Sequence, residues 1–215
     1  LDSNGNLNRY DVPNWKPIGR DKIATRNQLF NGTLDGAGHT ISDLCVYYED
    51  EFEEYCGLFA ATKEKSVIKN LNIVDSFFGG EYCSSVGRFV GYCEGRIENC
   101  YSSATLYGDD CAGIAAGARG SMYENGNHAY IENCFFNGKI KGFFAKNIDA
   151  ITNKGHVGVI VKNNYYNENC GADDTQSTAV TDAQIASGEV AHLLNGDQSV
   201  INWYQNIDKG ERDNL

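Results

Sequence analysis

Apolar positions along this chain come in short bursts that alternate with polar ones, and the bursts recur. Ile97-Glu98-Asn99-Cys100-Tyr101-Ser102 has counterparts in Ile68-Lys69-Asn70-Leu71-Asn72-Ile73, in Ile131-Glu132-Asn133-Cys134-Phe135-Phe136 and, more loosely, in Val161-Lys162-Asn163-Asn164-Tyr165-Tyr166. Ile41-Ser42-Asp43-Leu44-Cys45-Val46 reads as an earlier version with Asp in place of Asn. The starts at 41, 68, 97, 131 and 161 lie 27, 29, 34 and 30 residues apart. A period in that range marks a stacked repeat, because one short unit cannot bury its apolar face alone. Each unit also carries a glycine-bearing apolar piece: Cys56-Gly57-Leu58-Phe59-Ala60, Gly87-Arg88-Phe89-Val90-Gly91 and Ala112-Gly113-Ile114-Ala115-Ala116-Gly117. Pieces this short with period-two alternation fit strands and not helices. Stacked in parallel, one set per coil, they predict an all-β fold: a single-stranded right-handed parallel β-helix of roughly five coils.

In that geometry the Asn of each Ile-x-Asn sits where the strand bends into the next face, and Asn70, Asn99, Asn133 and Asn163 stack into an amide ladder. Leu44, Leu71, Cys100, Cys134 and Asn164 then share one inward register, with Val46, Ile73, Ser102, Phe136 and Tyr166 also inward or nearly so. Cys45, Asn72, Tyr101, Phe135 and Tyr165 fall between them and face outward. Asn164 is polar where its counterparts are apolar, which suggests that the core closes there.

The two ends differ from the middle. Residues 1–29 are expected to form an N-terminal entry segment or cap in which Pro17 and Gly19 follow closely on Trp15, and Trp15 is expected to cover an open end. Residues 30–170 carry the repeats, and 171–215 a C-terminal cap. There, Thr181-Asp182-Ala183-Gln184 is a capping box. Ile185, Val190, Leu193 and Leu194 follow on one helical face, and Asn195-Gly196 is a stop signal. The expectation is a capping α-helix near 181–195 that covers the final coil and hides its strand edges.

Composition narrows the partners. The formal net charge of -11 and isoelectric point near 4.7 argue against nucleic acid and against an anionic membrane surface. No apolar run reaches the length of a membrane span. The chain opens at Leu1-Asp2-Ser3-Asn4 without a signal peptide, and the expectation is an excised, monomeric module of a longer protein. Eight cysteines without a CxxC pair fit neither a disulfide mini-scaffold nor a zinc ribbon. Cys100 and Cys134, which share a register with Leu71, are expected to be buried thiols.

Together these pieces resemble the GLUG-motif repeats of secreted and surface-anchored bacterial proteins. The matching residues are Trp15-Lys16-Pro17-Ile18-Gly19, the run Phe30 to Ile41, Gly57-Leu58-Phe59, Gly87-Arg88-Phe89-Val90-Gly91 and Ile97-Glu98-Asn99-Cys100-Tyr101-Ser102, with Ala186 to Gly196 as a closing segment. The resemblance covers about residues 12–208. Ala60 and Ala116 depart from it where a glycine is usual, and the fourth unit lacks a clear Gly-Leu-x-Gly piece. It implies a β-helix on a cell surface, in adhesins or beside immunoglobulin-cleaving peptidases, and no chemistry of its own.

The residues suggest no catalytic constellation and no cofactor. His39, His128, His156 and His192 form no metal-binding pattern. The carboxylate pairs Asp109-Asp110 and Asp173-Asp174 are sequence neighbours, which does not establish the across-sugar spacing of a glycosidase. The acidic run of Glu49, Asp50, Glu51, Glu53 and Glu54 lacks the glycine-punctuated spacing of a calcium loop. The reading is therefore a non-catalytic extracellular module that binds a glycan or a host surface protein. A passive stalk and a carbohydrate-active enzyme are the alternatives. The aromatic strip Tyr101, Phe135 and Tyr165 is the candidate ligand surface, provided that it is exposed.

Overall fold

A residue in left-handed conformation ends four of the five strands of the first face and turns the chain into the second. Asn70, Asn99, Asn133 and Asn163 have φ of 52°, 51°, 54° and 53°. Asn tolerates this conformation where most side chains do not. In the computed structural model, which describes residues 14–19, 29–48, 53–80, 83–120, 128–153 and 157–205, these corners stack one above another. The first face pairs Thr33–Asp35, Val67–Lys69, Arg96–Glu98, Ala129–Glu132 and Val159–Lys162 in parallel. The second pairs Thr40–Ser42, Asn72–Val74, Tyr101–Ser102, Phe135–Phe136, Tyr165–Asn167 and Thr178–Val180. The third is built on Thr105–Ala112, which pairs with Phe77–Gly79, Cys83–Gly87 and Lys139–Asp149. The glycine-bearing pieces supply the fourth: Phe59–Ala61, Val90–Cys93 and Ala115–Ala118. The result is a parallel β-helix of about four turns, with Val159–Lys162 and Tyr165–Asn167 starting a further coil.

The first coil is offset from its expected alignment. Leu34, not Ile41, pairs with Ile68, and Ile41 pairs with Ile73. Gly36 occupies the corner position of that coil, and Ala37 and Gly38, both at positive φ, are extra residues in its turn. This disguises the motif, while Ile41-Ser42-Asp43 imitates it. Asp43 matches Asp75, a second left-handed corner (φ 59° and 45°) leading into the third face. Leu44, Cys45 and Val46 therefore leave the registers assigned to them, and Cys45 pairs with Phe77 and Val46 with Phe78.

The amide ladder is also discontinuous. Asn163 Nδ2 donates to Asn133 Oδ1 at 2.8 Å, but Asn70 Nδ2 turns to Asp35 Oδ1 at 3.0 Å and Asn99 Oδ1 has no partner. Backbone conformation, rather than side-chain stacking, is what selects Asn at these corners.

The interior is apolar with polar exceptions. Leu71, Cys100 and Cys134 stack as expected, and both thiols are buried and unbridged. Cys134 Sγ reaches Glu132 O at 3.3 Å and Cys100 Sγ reaches Glu98 O at 3.4 Å. Asn164 ends this column: its Oδ1 accepts from Cys134 N at 2.8 Å and its Nδ2 donates to Ile131 O at 2.7 Å. Arg88 is fully buried, an inward cation that strand alternation did not disclose. Its Nη1 donates to Ser102 Oγ at 2.7 Å and its Nη2 to Ala104 O. Its guanidinium lies 5.0 Å from the Phe136 ring centre and 5.9 Å from that of Phe78. Burial pushes its pKa well below the usual guanidinium range.

At the N-terminus, Ile18 bridges Phe59, and Asn14 brackets Tyr47 through both its amide atoms. Trp15 donates its indole N–H to Leu58 O at 3.3 Å along this open edge and remains partly exposed. At the C-terminus the expected single helix is two: α1 (Asp182–Ala186) and α2 (Glu189–Asn195), broken at left-handed Gly188. Thr181 and Gln184 form the anticipated capping box. The acidic run at 49–51 lies outside the described residues.

Two outcomes test this account. Asn133→Ala should cost about 1–2 kcal/mol of stability in chemical denaturation, from the strained φ and the lost bond to Asn163. Asn133→Gly should cost less because glycine accepts the conformation; equal losses would place the whole effect in the side-chain bond. Separately, Cys56 and Cys83 form a disulfide with Cα atoms 6.3 Å apart, while Cys45, Cys93, Cys100, Cys111, Cys134 and Cys170 are buried thiols. Burial raises the Cys93 thiol to about 11. Alkylation of the native protein at pH 8 should leave these six thiols unlabelled, and denaturation should expose them. A Cys100–Cys134 crosslinked peptide would contradict the assignment.

Candidate lateral cleft

The aromatic strip is contiguous but covered. Tyr101, Phe135 and Tyr165 pair in register across adjacent coils, with the Tyr101 and Phe135 ring centres 5.6 Å apart. Phe135 is fully buried, Tyr101 is 5% exposed and Tyr165 is partly buried. They form a second apolar cluster with Val74, Val180, Val190, Ala191, Leu194 and Trp203. The C-terminal helices thus lie against the outer surface of the second face. An outward register exposes a side chain only if nothing packs on that face, and here α1, α2 and Trp203 do. The strip fails the exposure condition set for a ligand surface. Burial raises the Tyr101 and Tyr165 phenols, so both remain protonated near neutral pH.

The covering segment builds a different feature. Asn163 Nδ2 donates to Leu193 O at 3.3 Å and Leu194 O at 3.1 Å, fixing the end of α2 to the Asn corner. Asn195 then holds the chain that follows: its Nδ2 donates to Trp203 O at 2.8 Å, and its Oδ1 accepts from Asn202 N and Trp203 N at 2.9 and 3.0 Å. Residues 201–204 are thereby strapped beside the lower corners. Between strap and corners lies an open cleft of about 390 Å³, lined by Ala37, Gly38, Asn70, Asn72, Asn99, Ile201, Asn202, Trp203 and Tyr204. None of these residues carries a charge.

The lining mixes committed and uncommitted polar groups. Asn70 gives its Nδ2 to Asp35, and this bond first, then the Ala37 N–H, holds the Asp35 carboxyl below its usual range. Asn72 Nδ2 makes only long contacts of 3.4 Å, to Gly38 O and Thr40 Oγ1. Asn99 Oδ1 and Trp203 Nε1 are buried with no partner at all. Leaving a buried donor or acceptor unpaired costs about 1–3 kcal/mol, and both residues border the cleft. Tyr204 is 70% exposed at the rim and Ile201 60%. Sequence periodicity assigned no place in a site to Trp203 and Tyr204. It had no means of bringing them to Asn70 and Asn99, because the strap runs back along the coils.

A second cleft of about 350 Å³ is lined by Glu64, Lys65, Ser66, Val67, Gly95, Arg96, His128 and Tyr130. Its Arg96 is already engaged, paired with Glu98 at 3.5 Å and with Glu132, and lying 4.1 Å from the Tyr130 ring centre. Among the described residues no group of three or more His, Cys, Asp or Glu is placed to hold a metal ion, and no helix is long and apolar enough to cross a membrane.

No protein-family model matches the chain. Residues of this chain are 35% identical over 91 positions to halomucin of Haloquadratum walsbyi, a match that covers 42% of this chain and 1% of halomucin. In structure the chain is similar to a Bacteroides ovatus protein provisionally described as an immunoglobulin A1 protease. The TM-score is 0.50 at 14% identity, covering 86% of this chain and 77% of that one. At that identity the likeness concerns the fold.

Phe135→Ala should lower stability by about 3–5 kcal/mol in denaturant titration, the usual cost of truncating a fully buried phenylalanine. An unchanged midpoint would mean that the helices do not cover the strip in solution.

Proposed function

We propose that this chain is a non-catalytic, extracellular β-helix module of a larger bacterial surface or secreted protein, and that it binds a glycan or a host surface protein. The uncharged lateral cleft carries this reading. It joins amides, an exposed tyrosine and apolar surface on a stack of coils, a lining suited to holding a ligand and lacking the charged groups that acid–base chemistry requires. The Cys56–Cys83 disulfide accords with an oxidising compartment. The resemblance to GLUG-motif repeats and the partial match to a protein named halomucin point the same way. A spacer that presents another domain is the second reading, favoured by continuous parallel pairing along the first and second faces. Binding of the purified chain to an array of glycans and host surface proteins separates the two. The proposal expects selective, saturable binding to a subset of the array. Uniform absence of binding would leave the spacer, and turnover of an arrayed glycan would indicate an enzyme.

A further inference from the structure

We propose that the outer edge of Val159–Lys162, the last strand of the first face, receives an extended strand from a separate polypeptide in which an aliphatic residue is followed directly by a carboxylate. This goes beyond the binding-module reading: it names a second surface, apart from the lateral cleft, and the partner that fits it.

The first face is open where its neighbours are closed. At that end of the coils Thr178–Val180 extends the second face. On the third, Ile140 N donates to Cys170 O and Asp149 bridges Asp173. On the fourth, Thr152 bridges Ala115, and Asp174 Oδ2 accepts from Ile151 N at 3.0 Å. Val159–Lys162 pairs with Ala129–Glu132, and among the described residues no strand lies on its other side. One coil earlier, Ala129 N and Asn133 N donate forward to Gly158 O and Lys162 O at 3.1 Å. The equivalent donors, Val159 N and Asn163 N, meet no further strand among the described residues. The side chains tell the same story. Ile68, Ile97 and Ile131 are fully buried, but Val161 in the same column is only partly so. Val157 is 59% exposed and Ile160 37%. No proline or bulge blunts this edge, since its pairing with Ala129–Glu132 runs without a break in register. A regular, apolar edge of this kind is a template for strand addition, in which backbone bonds give affinity and alternate side chains give specificity.

Register specifies what the added strand carries. The inward column runs Leu34, Ile68, Ile97, Ile131 and Val161, so the residue over Val161 is aliphatic. The outward column beside it runs Asp35, Lys69, Glu98, Glu132 and Lys162. Lys69 pairs with Asp35 at 3.5 Å, and the like-charged Glu98 and Glu132 share Arg96. Lys162 stands at the open end of this column. A carboxylate over it continues the pairing of opposite charges across neighbouring strands. The Ile-Glu sequence that the chain uses at 97–98 and 131–132 meets both requirements.

A second copy of the chain does not fit. Its own terminal strand of the first face, Thr33–Asp35, has Leu34 and Asp35 in the required order. Thr40–Ser42 belongs to the same coil, however, and would need the place beyond Tyr165–Asn167 that Thr178–Val180 holds. The vacancy is confined to one face, which suits a lone extended segment.

The probe is a capped hexapeptide with the sequence of residues 128–133, which parallel addition sets with Ile131 over Val161 and Glu132 over Lys162. In ¹⁵N-correlated NMR of the full chain it should shift the backbone amides of Val159, Val161 and Asn163 in a saturable manner and slow their exchange with solvent. The same peptide with Glu132→Lys should bind about fivefold more weakly. Lys162→Glu in the protein, at an exposed position, should leave the melting temperature unchanged and reverse that preference. Silence of these amides at millimolar peptide, or equal binding of both peptides to both proteins, would overturn the proposal. So would concentration-dependent dimers in which the three amides are protected without peptide, because a second copy would then hold the edge. Binding to arrayed glycans or host proteins with a silent edge would retain the module reading and discard this one.

Discussion

Each coil of this protein has to turn from its first face to its second without breaking its hydrogen bonds to the coils above and below. The left-handed corner meets that constraint. Asn70 N donates to Glu98 O, Asn99 N to Glu132 O and Asn133 N to Lys162 O, all toward the next coil. Two residues later the direction reverses: Tyr101 N donates to Leu71 O, Phe135 N to Cys100 O and Tyr165 N to Cys134 O, toward the previous coil. Each corner thus joins three coils. The residue after Asn points inward, which stacks Leu71, Cys100, Cys134 and Asn164; the one after that points outward, which stacks Tyr101, Phe135 and Tyr165. The strap depends on the same corner, because Asn163 fastens the end of α2 and Asn70 and Asn99 form one wall of the cleft.

The repeating part of this logic was legible in the sequence because it is local. An Ile-x-Asn motif states both the strand and the bend that ends it, and Thr181-Asp182-Ala183-Gln184 states the start of a helix from four adjacent residues. Three features were not legible. Gly36 replaces Asn at the first corner and Ala37 and Gly38 lengthen the turn, so the first coil's true register was hidden behind a nearby imitation. Arg88 violates the rule that charges face out. Its interior place depends on Ser102, Ala104, Phe78 and Phe136, which come from other segments of the chain. Gly113 and Gly138 keep that space open, since a Cβ at either would approach within 2.6 Å of the Phe136 ring. Finally, alternation told which side chains leave the coil but not what lies over them.

The last point decides the functional reading. An aromatic strip that looked like a contact surface is the seat of the C-terminal helices, and the candidate site moved to the edge of those helices. The cleft there joins residues 37, 38, 70, 72 and 99 to residues 201–204, segments separated by about half the chain or more. Such a site is invisible to motif reading. It depends on a repeat that brings equivalent amides into a row and on a strap that the row itself anchors.

Native-state amide hydrogen exchange addresses the corner most directly. If the left-handed corners belong to the continuous ladder, the amides of Asn70, Asn99 and Asn133 will exchange as slowly as those of Ile68, Ile97 and Ile131 in the flanking strands, and will lose protection together with them as denaturant is added. Exchange of the three Asn amides at the rate of exposed turns, with the strands still protected, would show that the coils are held by their faces alone and would contradict the account.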